Sequence, residues 1–222
     1  MREAGRWSKQ ALRPNSELGA DVGAKGVVMF PTAHDILPEF LDESIVTLKN
    51  LLRHNQVLVV SKPHLSVIRT LCSTFADRKG DIMFRFTIGS LNAATCEFWE
   101  PGAPSPDERI SALRHAFEKG FRTSVSIEPM LEDREGTIAL VNVVQPFVTN
   151  TIWIGKLQRL SRKYNKHVKG FDEAADKITA QRRDPEILEL VRALDDNPKI
   201  RWKDSIQAVI ERSAQRRQGC QS

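Results

Sequence analysis

Short apolar runs alternate with stretches in which apolar residues recur every three or four positions, the pattern of repeated βα units. Strands are expected at 26–33 (GVVMFPTA), 56–62 (QVLVVSK), 82–89 (IMFRFTIG), 122–128 (RTSVSIE) and 150–155 (NTIWIG). A helix is expected at 38–54, with Leu41, Ile45, Leu48 and Leu52 on one stripe and Pro38 near its start. Another is expected at 64–76, burying Leu65, Ile68, Cys72 and Phe75. Ser105-Pro106-Asp107-Glu108 reads as a capping box opening a helix that turns Ile110, Leu113 and Phe117 inward and stops at Gly120. A shorter helix follows around 136–144. Beyond the fifth strand the pattern changes to three amphipathic helices, 171–182, 185–195 and 202–213, the last with Trp202, Ile206, Val209 and Ile210 on its apolar face. The chain so divides into a polar segment 1–25, a βα region 26–156 and a basic helical region 157–222. Right-handed crossovers stack such strands in parallel, and five in a row fit an open or incomplete barrel or a doubly wound sheet.

Parallel strands covered by helices are ordinarily apolar on both faces. Four strands here depart from that on one face. Ser124, Ser126 and Glu128 alternate with Thr123, Val125 and Ile127, and Arg85 and Thr87 alternate with Phe84, Phe86 and Ile88. The first strand runs into Thr32, His34 and Asp35, and the second ends in Ser61 and Lys62. Burying an unpaired Arg or Glu is costly. A shared polar cavity at the strands' C-terminal ends, where barrels and open α/β sheets bind ligands, accounts for all of them. The alternative is an Arg85–Glu128 ion pair with the rest as loop residues. Phe98, Trp99 and Glu100 fall in the loop after the third strand, at the cavity mouth, as a wall against a flat ligand or as a packing lid.

Composition narrows the picture. Hydrophobic residues make up 41% of the chain, enough for a core, and no apolar run approaches the ~20 residues that span a bilayer. The start, MREAGRWSKQALRPNSELG, has no apolar signal core, so a cytoplasmic location without a membrane partner is expected. The formal net charge is +5, with an excess at Arg159, Arg162, Lys163, Lys166, Lys169, Arg212, Arg216 and Arg217. Such a surface favours nucleic acid as a partner, although Tyr164, Phe171 and Trp202 offer little stacking; a solvated basic surface is the plainer alternative. Cys72, Cys96 and Cys220 lack the spacing of a zinc site or a disulfide framework. Cys72 reads as core, Cys220 as part of a polar tail, and Cys96 lies beside the loop that carries Phe98, Trp99 and Glu100. Lys62 at a strand end, with Glu128 nearby, also suits a Schiff-base lyase or aldolase.

The stretches VVMFPTAHDI, VLVVSKP, FRFTIGS, FWEPGAPSPDERI and TSVSIEPML resemble the radical S-adenosylmethionine superfamily, in particular its spore-photoproduct-lyase-like branch. The resemblance covers about residues 26–156, and EPGAPSPDERI followed by the run to Glu128-Pro129 is its most specific part. It implies an α/β fold, a partial (β/α) barrel of six parallel units, with a 4Fe–4S cluster and S-adenosylmethionine cleaved to a 5′-deoxyadenosyl radical. It further implies cofactor contacts for Thr32, His34 and Asp35 on the methionine portion and for Lys62, with Ser61, lining the cavity. Arg85, Thr87 and Ser90 are implied at the ribose and carboxylate, and Glu128 beside the adenosine. The family holds its cluster with three thiolates of a CxxxCxxC loop after the first strand. This sequence has no such motif, and by order its strand 26–33 takes the family's second place. The expectation is therefore a truncated or degenerate member: a barrel lacking its first strand, an exposed edge at 27–33, and a cluster not bound by this chain alone. No catalytic residue or metal ligand is assigned, and the substrate is unknown. The alternative is a non-catalytic barrel remnant or a nucleic-acid-binding module.

Overall fold

Six parallel strands in chain order make one sheet: β1 (Val27–Phe30), β2 (Gln56–Ser61), β3 (Ile82–Thr87), β4 (Arg122–Met130), β5 (Ile152–Lys156) and β6 (Ile200–Trp202). The computed structural model describes residues 26–32, 34–157 and 168–219, the last three without their side chains. Each strand pairs with its predecessor, from Val27 opposite Gln56 through to Ile154 opposite Trp202. A doubly wound sheet reverses its strand order at a switch point. Here the order never reverses, so right-handed crossovers keep the connecting helices on one face. The result is an open, partial (β/α) barrel.

The helices are α1 (Leu41–Leu51), α2 (Leu65–Thr74), α3 (Ala93–Trp99), α4 (Pro106–Glu118), α5 (Arg134–Val144), α6 (Phe171–Ala180), α7 (Asp184–Ala193) and α8 (Asp204–Gly219). Alternate strand residues Val57, Val59, Phe84, Phe86, Val125, Ile127, Ile152 and Ile154 meet the helices in one core with Leu48, Ile68, Leu113, Leu140, Ile187 and Ile206. Side-chain caps fix where three helices begin. Asn92 accepts from Thr95 N (3.0 Å), Ser105 from Glu108 N (3.2 Å) and Asp133 from Gly136 N (2.9 Å). Gly120, with φ of +80°, turns the chain out of α4, a conformation that favours glycine.

The five expected strands form, and four departures matter. Trp202 ends a sixth strand instead of opening a helix, and α8 starts at Asp204. Residues 93–99 of the expected loop are helical. Phe117 is 37% exposed, its inward place taken by Ala112, Ala116 and the fully buried Arg109. The capping box is half formed: Glu108 Oε1 accepts from Leu65 N (2.9 Å) at the start of α2. β1 pairs only with β2 among the described residues, and Val27 and Met29 are 64% and 46% exposed on it. Residues 1–25, the basic positions Arg159, Arg162, Lys163 and Lys166, Tyr164 and Cys220 lie outside the described residues. No described helix is long and apolar enough to cross a membrane.

Candidate functional site

The face of the sheet away from the core is polar, and the pairing register lays its side chains out in rows. Leu58, Met83 and Arg122 share the lowest row; Val60, Arg85 and Ser124 the next; Thr87, Ser126, Trp153 and Arg201 the row above. Lys62 and Glu128 follow at the C-terminal ends. Arg122, Arg85 and Arg201 outnumber Glu128 in these rows, although the Arg201 guanidinium turns back to donate to Pro198 O and Ile200 O.

At the ends of β1, β2 and β3 an ion network closes the site. Asp35 Oδ1 accepts from the backbone N–H of Lys62 (2.6 Å) and from Ser61 Oγ (3.3 Å), clamping the chain after β1 to the end of β2. Ser61 Oγ also accepts from Ile36 N (3.2 Å), so Ser61 is a buried tie and not a cavity wall. Lys62 Nζ lies 3.5 Å from Asp35 and 3.9 Å from Glu100. Glu100, just past α3, accepts from Arg109 Nη1 at 2.6 Å. Arg109 has no exposed side-chain surface. Its guanidinium also donates to Pro104 O (2.7 Å) and Thr87 O (3.3 Å), which fastens the 100–104 turn to the end of β3. A buried pair of this kind holds geometry more than it adds net stability.

A second cluster lies on β3, β4, β5 and just past β6. Arg85 Nε donates to Ser124 Oγ (3.1 Å), and its guanidinium lies 5.5 Å from the centre of the Trp153 ring. No carboxylate contacts Arg85 among the described residues, and burial holds its guanidinium below the usual arginine range. Lys203 Nζ lies 5.4 Å from the centre of the same ring and 3.0 Å from Glu128 Oε2. The Arg85–Glu128 pair considered from sequence is absent; Glu128 pairs with Lys203 instead. Gly155 makes this possible, because a Cβ there would stand 2.8 Å from Glu128 Oε1 and 3.0 Å from Lys203 Cβ. The indole N–H of Trp153 is buried without an acceptor.

The structure brings Asp35, Lys62, Glu100 and Arg109 into one group and Arg85, Ser124, Trp153, Glu128 and Lys203 into another. Thr87 lies on the inner face between them. Ser90 is fully buried, its hydroxyl donating to Glu132 and accepting from Asn92 N (2.8 Å), which fixes the turn after β3. Thr32 and His34 are exposed and join neither group. Phe98, Trp99 and Phe171 stack edge to face at 5.1 and 5.8 Å, tying α3 to α6. Sequence reasoning missed Arg109 and Arg182, whose charges read as helix surface. Arg182 donates to Met130 O (2.7 Å) and Leu157 O (3.3 Å) at the ends of β4 and β5, and burial lowers it to about 10. Arg109 lies in the second turn of α4 and Arg182 just after α6, and both give their donors to backbone carbonyls.

The described cysteines do not fit an iron–sulfur cluster. Cys72 in α2 and Cys96 in α3 are both buried. Burial pushes the Cys72 thiol up to about 12 and raises that of Cys96. No three His, Cys, Asp or Glu side chains among the described residues gather as a metal site.

No family model and no curated protein matches the sequence. Among solved structures the chain is similar to a spore photoproduct lyase variant with bound S-adenosylmethionine and dinucleoside spore photoproduct. That match has a TM-score of 0.52 and 14% identity, and covers 85% of this chain and 63% of that one. SuiB of Streptococcus suis is also similar: bound to S-adenosylmethionine it gives a TM-score of 0.46 and 13% identity over 73% of this chain and 36% of that one. A second SuiB structure gives 0.42 and 12% over 81% and 49%. The chain thus spans less than two thirds of the length of each. At such identities the likeness is one of fold, and it rests on the spore photoproduct lyase match: the open six-stranded sheet described above shares the partial (β/α) barrel fold of that lyase.

Proposed function

We propose that this chain is a radical S-adenosylmethionine superfamily protein whose barrel binds S-adenosylmethionine at the C-terminal ends of its strands. The observation that supports this best is the gathering of Asp35, Lys62 and Glu100 at that end of a six-stranded parallel sheet with the fold of spore photoproduct lyase. Lys62, held between Asp35 and Glu100, offers a fixed cation for the carboxylate of the cofactor's methionine portion. Asp35, on the chain after β1 and tied to Lys62, borders that portion. Thr87 and Arg85 on β3 face the ribose side, with Ser90 holding the turn that follows, and Glu128 flanks the adenosine.

When bound, a 4Fe–4S cluster would supply the electron that cleaves the cofactor. The described residues do not fit one, so no reaction step is assigned to this chain. The Schiff-base alternative draws less support, because Lys62 is an anchored ion-pair partner and not a lone amine in an apolar pocket. A nucleic-acid substrate is part of the same reading, since the spore photoproduct lyase variant holds a dinucleoside photoproduct and this chain carries a net charge of +5.

Calorimetry on the full chain tests the proposal with S-adenosylmethionine and S-adenosylhomocysteine as probes. Saturable binding of both, weakened about tenfold or more by Lys62→Ala, is expected for loss of a charge-assisted contact. Absence of binding at millimolar ligand overturns it. Fluorescence anisotropy with a labelled single-stranded oligonucleotide tests the substrate class, and no binding at low salt rejects it.

A further inference from the structure

We infer that Arg85, Trp153 and Lys203 form an oxyanion subsite on the inner face of the sheet, apart from the Lys62 end, and that it takes a phosphate group carried by the substrate. The inference rests on the reading of the barrel as a cofactor site, and it reassigns Arg85 from the cofactor to the substrate.

Three observations carry it. Arg85 stands mid-strand in the row below Thr87 and Trp153, with one hydrogen bond to a neutral hydroxyl and no carboxylate. Arg85 is half-buried, and a partly desolvated cation without a counter-ion gains from an anion brought to it. Its guanidinium keeps further N–H donors for a ligand. The Trp153 indole N–H is buried and has no acceptor, which is uncommon for a buried N–H, although the ring itself is partly exposed. Lys203 completes the group: its ammonium lies over the same ring as Arg85 and spends one contact on Glu128. Arg122 adds positive charge to the same face, and Glu128 is the one carboxylate in the rows.

Geometry selects the ligand. Both cations lie over the ring, whereas the indole N–H points out in its plane. Donors so arranged are not coplanar, which suits the divergent oxygens of a tetrahedral phosphate better than a flat carboxylate.

The test is a titration of the full chain with inorganic phosphate, and separately with acetate, followed by calorimetry at low ionic strength with and without S-adenosylhomocysteine. Saturable phosphate binding tighter than acetate binding, unchanged by S-adenosylhomocysteine, is expected. Arg85→Gln should weaken it about tenfold, and Trp153→Phe, which keeps an aromatic face of smaller size and removes the N–H, about fivefold or more. Surface Arg212→Gln should leave it unchanged. Trp153→Phe decides the matter if Arg85→Gln misfolds by circular dichroism. Binding indifferent to Trp153→Phe, or as sensitive to Arg212→Gln, marks diffuse surface charge and overturns the subsite. Competition between phosphate and S-adenosylhomocysteine also overturns it, assigning Arg85 to the cofactor. Phosphate binding that depends on Arg85 in a chain that binds no S-adenosylhomocysteine would sink the cofactor reading and leave the subsite standing.

Discussion

The two faces of this sheet are made by the same strands, one residue out of phase, and they differ in almost every physical respect. On the helix side Phe84, Phe86, Val125, Ile127, Ile152 and Ile154 are sealed from water. On the inner side Arg85, Thr87, Ser124, Ser126, Glu128 and Trp153 carry charge, hydroxyls and an unpaired donor. The contrast teaches that the period-two pattern of a strand separates stability from function, and substitutions on the two sides should report on different quantities.

The largest expected effect is on the helix side. Phe84→Ala should lower the unfolding free energy by about 3–5 kcal/mol in a urea titration. Ser126→Ala, on the inner face of the neighbouring strand, should change it by under about 1 kcal/mol. Equal losses would break the contrast. Arg109→Leu removes the partner of a nearly buried Glu100 and should cost about 3–5 kcal/mol, part of which a second change, Glu100→Leu, restores. Gly155→Ala pushes a methyl into Glu128 and Lys203, with an expected cost of about 1–3 kcal/mol and weaker ligand binding.

Cys72 gives a smaller, pH-dependent test. Its folded value, about 12, lies above the ordinary 9.0, so the stability that the neutral thiol contributes is intact below pH 9 and drains away as pH rises toward 12. Near pH 10 wild type should lose about 1–2 kcal/mol relative to pH 8 through this group, and Cys72→Ala should not. Matching alkaline slopes for the two proteins would reject that account. Least of all, Lys203→Ala should shift stability by under about 1 kcal/mol, its ion pair being partly solvated, while weakening phosphate binding.

Much of the architecture was legible because long strands leave two independent marks, apolar runs and a polar alternation. β6 left neither. Three residues are too few to show a period of two, and Trp202 also fits the helical spacing of Ile206, Val209 and Ile210. α3 was hidden by its seven-residue length and by a polar Asn92 that reads as loop until its cap is seen. In the site, the inward side of Arg85 and Glu128 followed from their neighbours, but their partners did not. Lys203 lies 75 positions beyond Glu128 in the sequence, and no local pattern links residues so far apart. Arg109 was invisible for a different reason: its burial depends on carbonyls of a turn whose path the sequence does not reveal.

The strand order carries a consequence for how the chain is made. Each strand pairs with the one synthesised just before it, so a nascent βα unit leaving the ribosome finds its hydrogen-bonding edge already formed. Assembly can follow translation, one unit at a time, without holding an early strand open for a late one. On this view β6 joins a sheet whose inner rows are by then laid down, and Lys203, immediately after it, completes the charged cluster only after Arg85, Glu128 and Trp153 are in place.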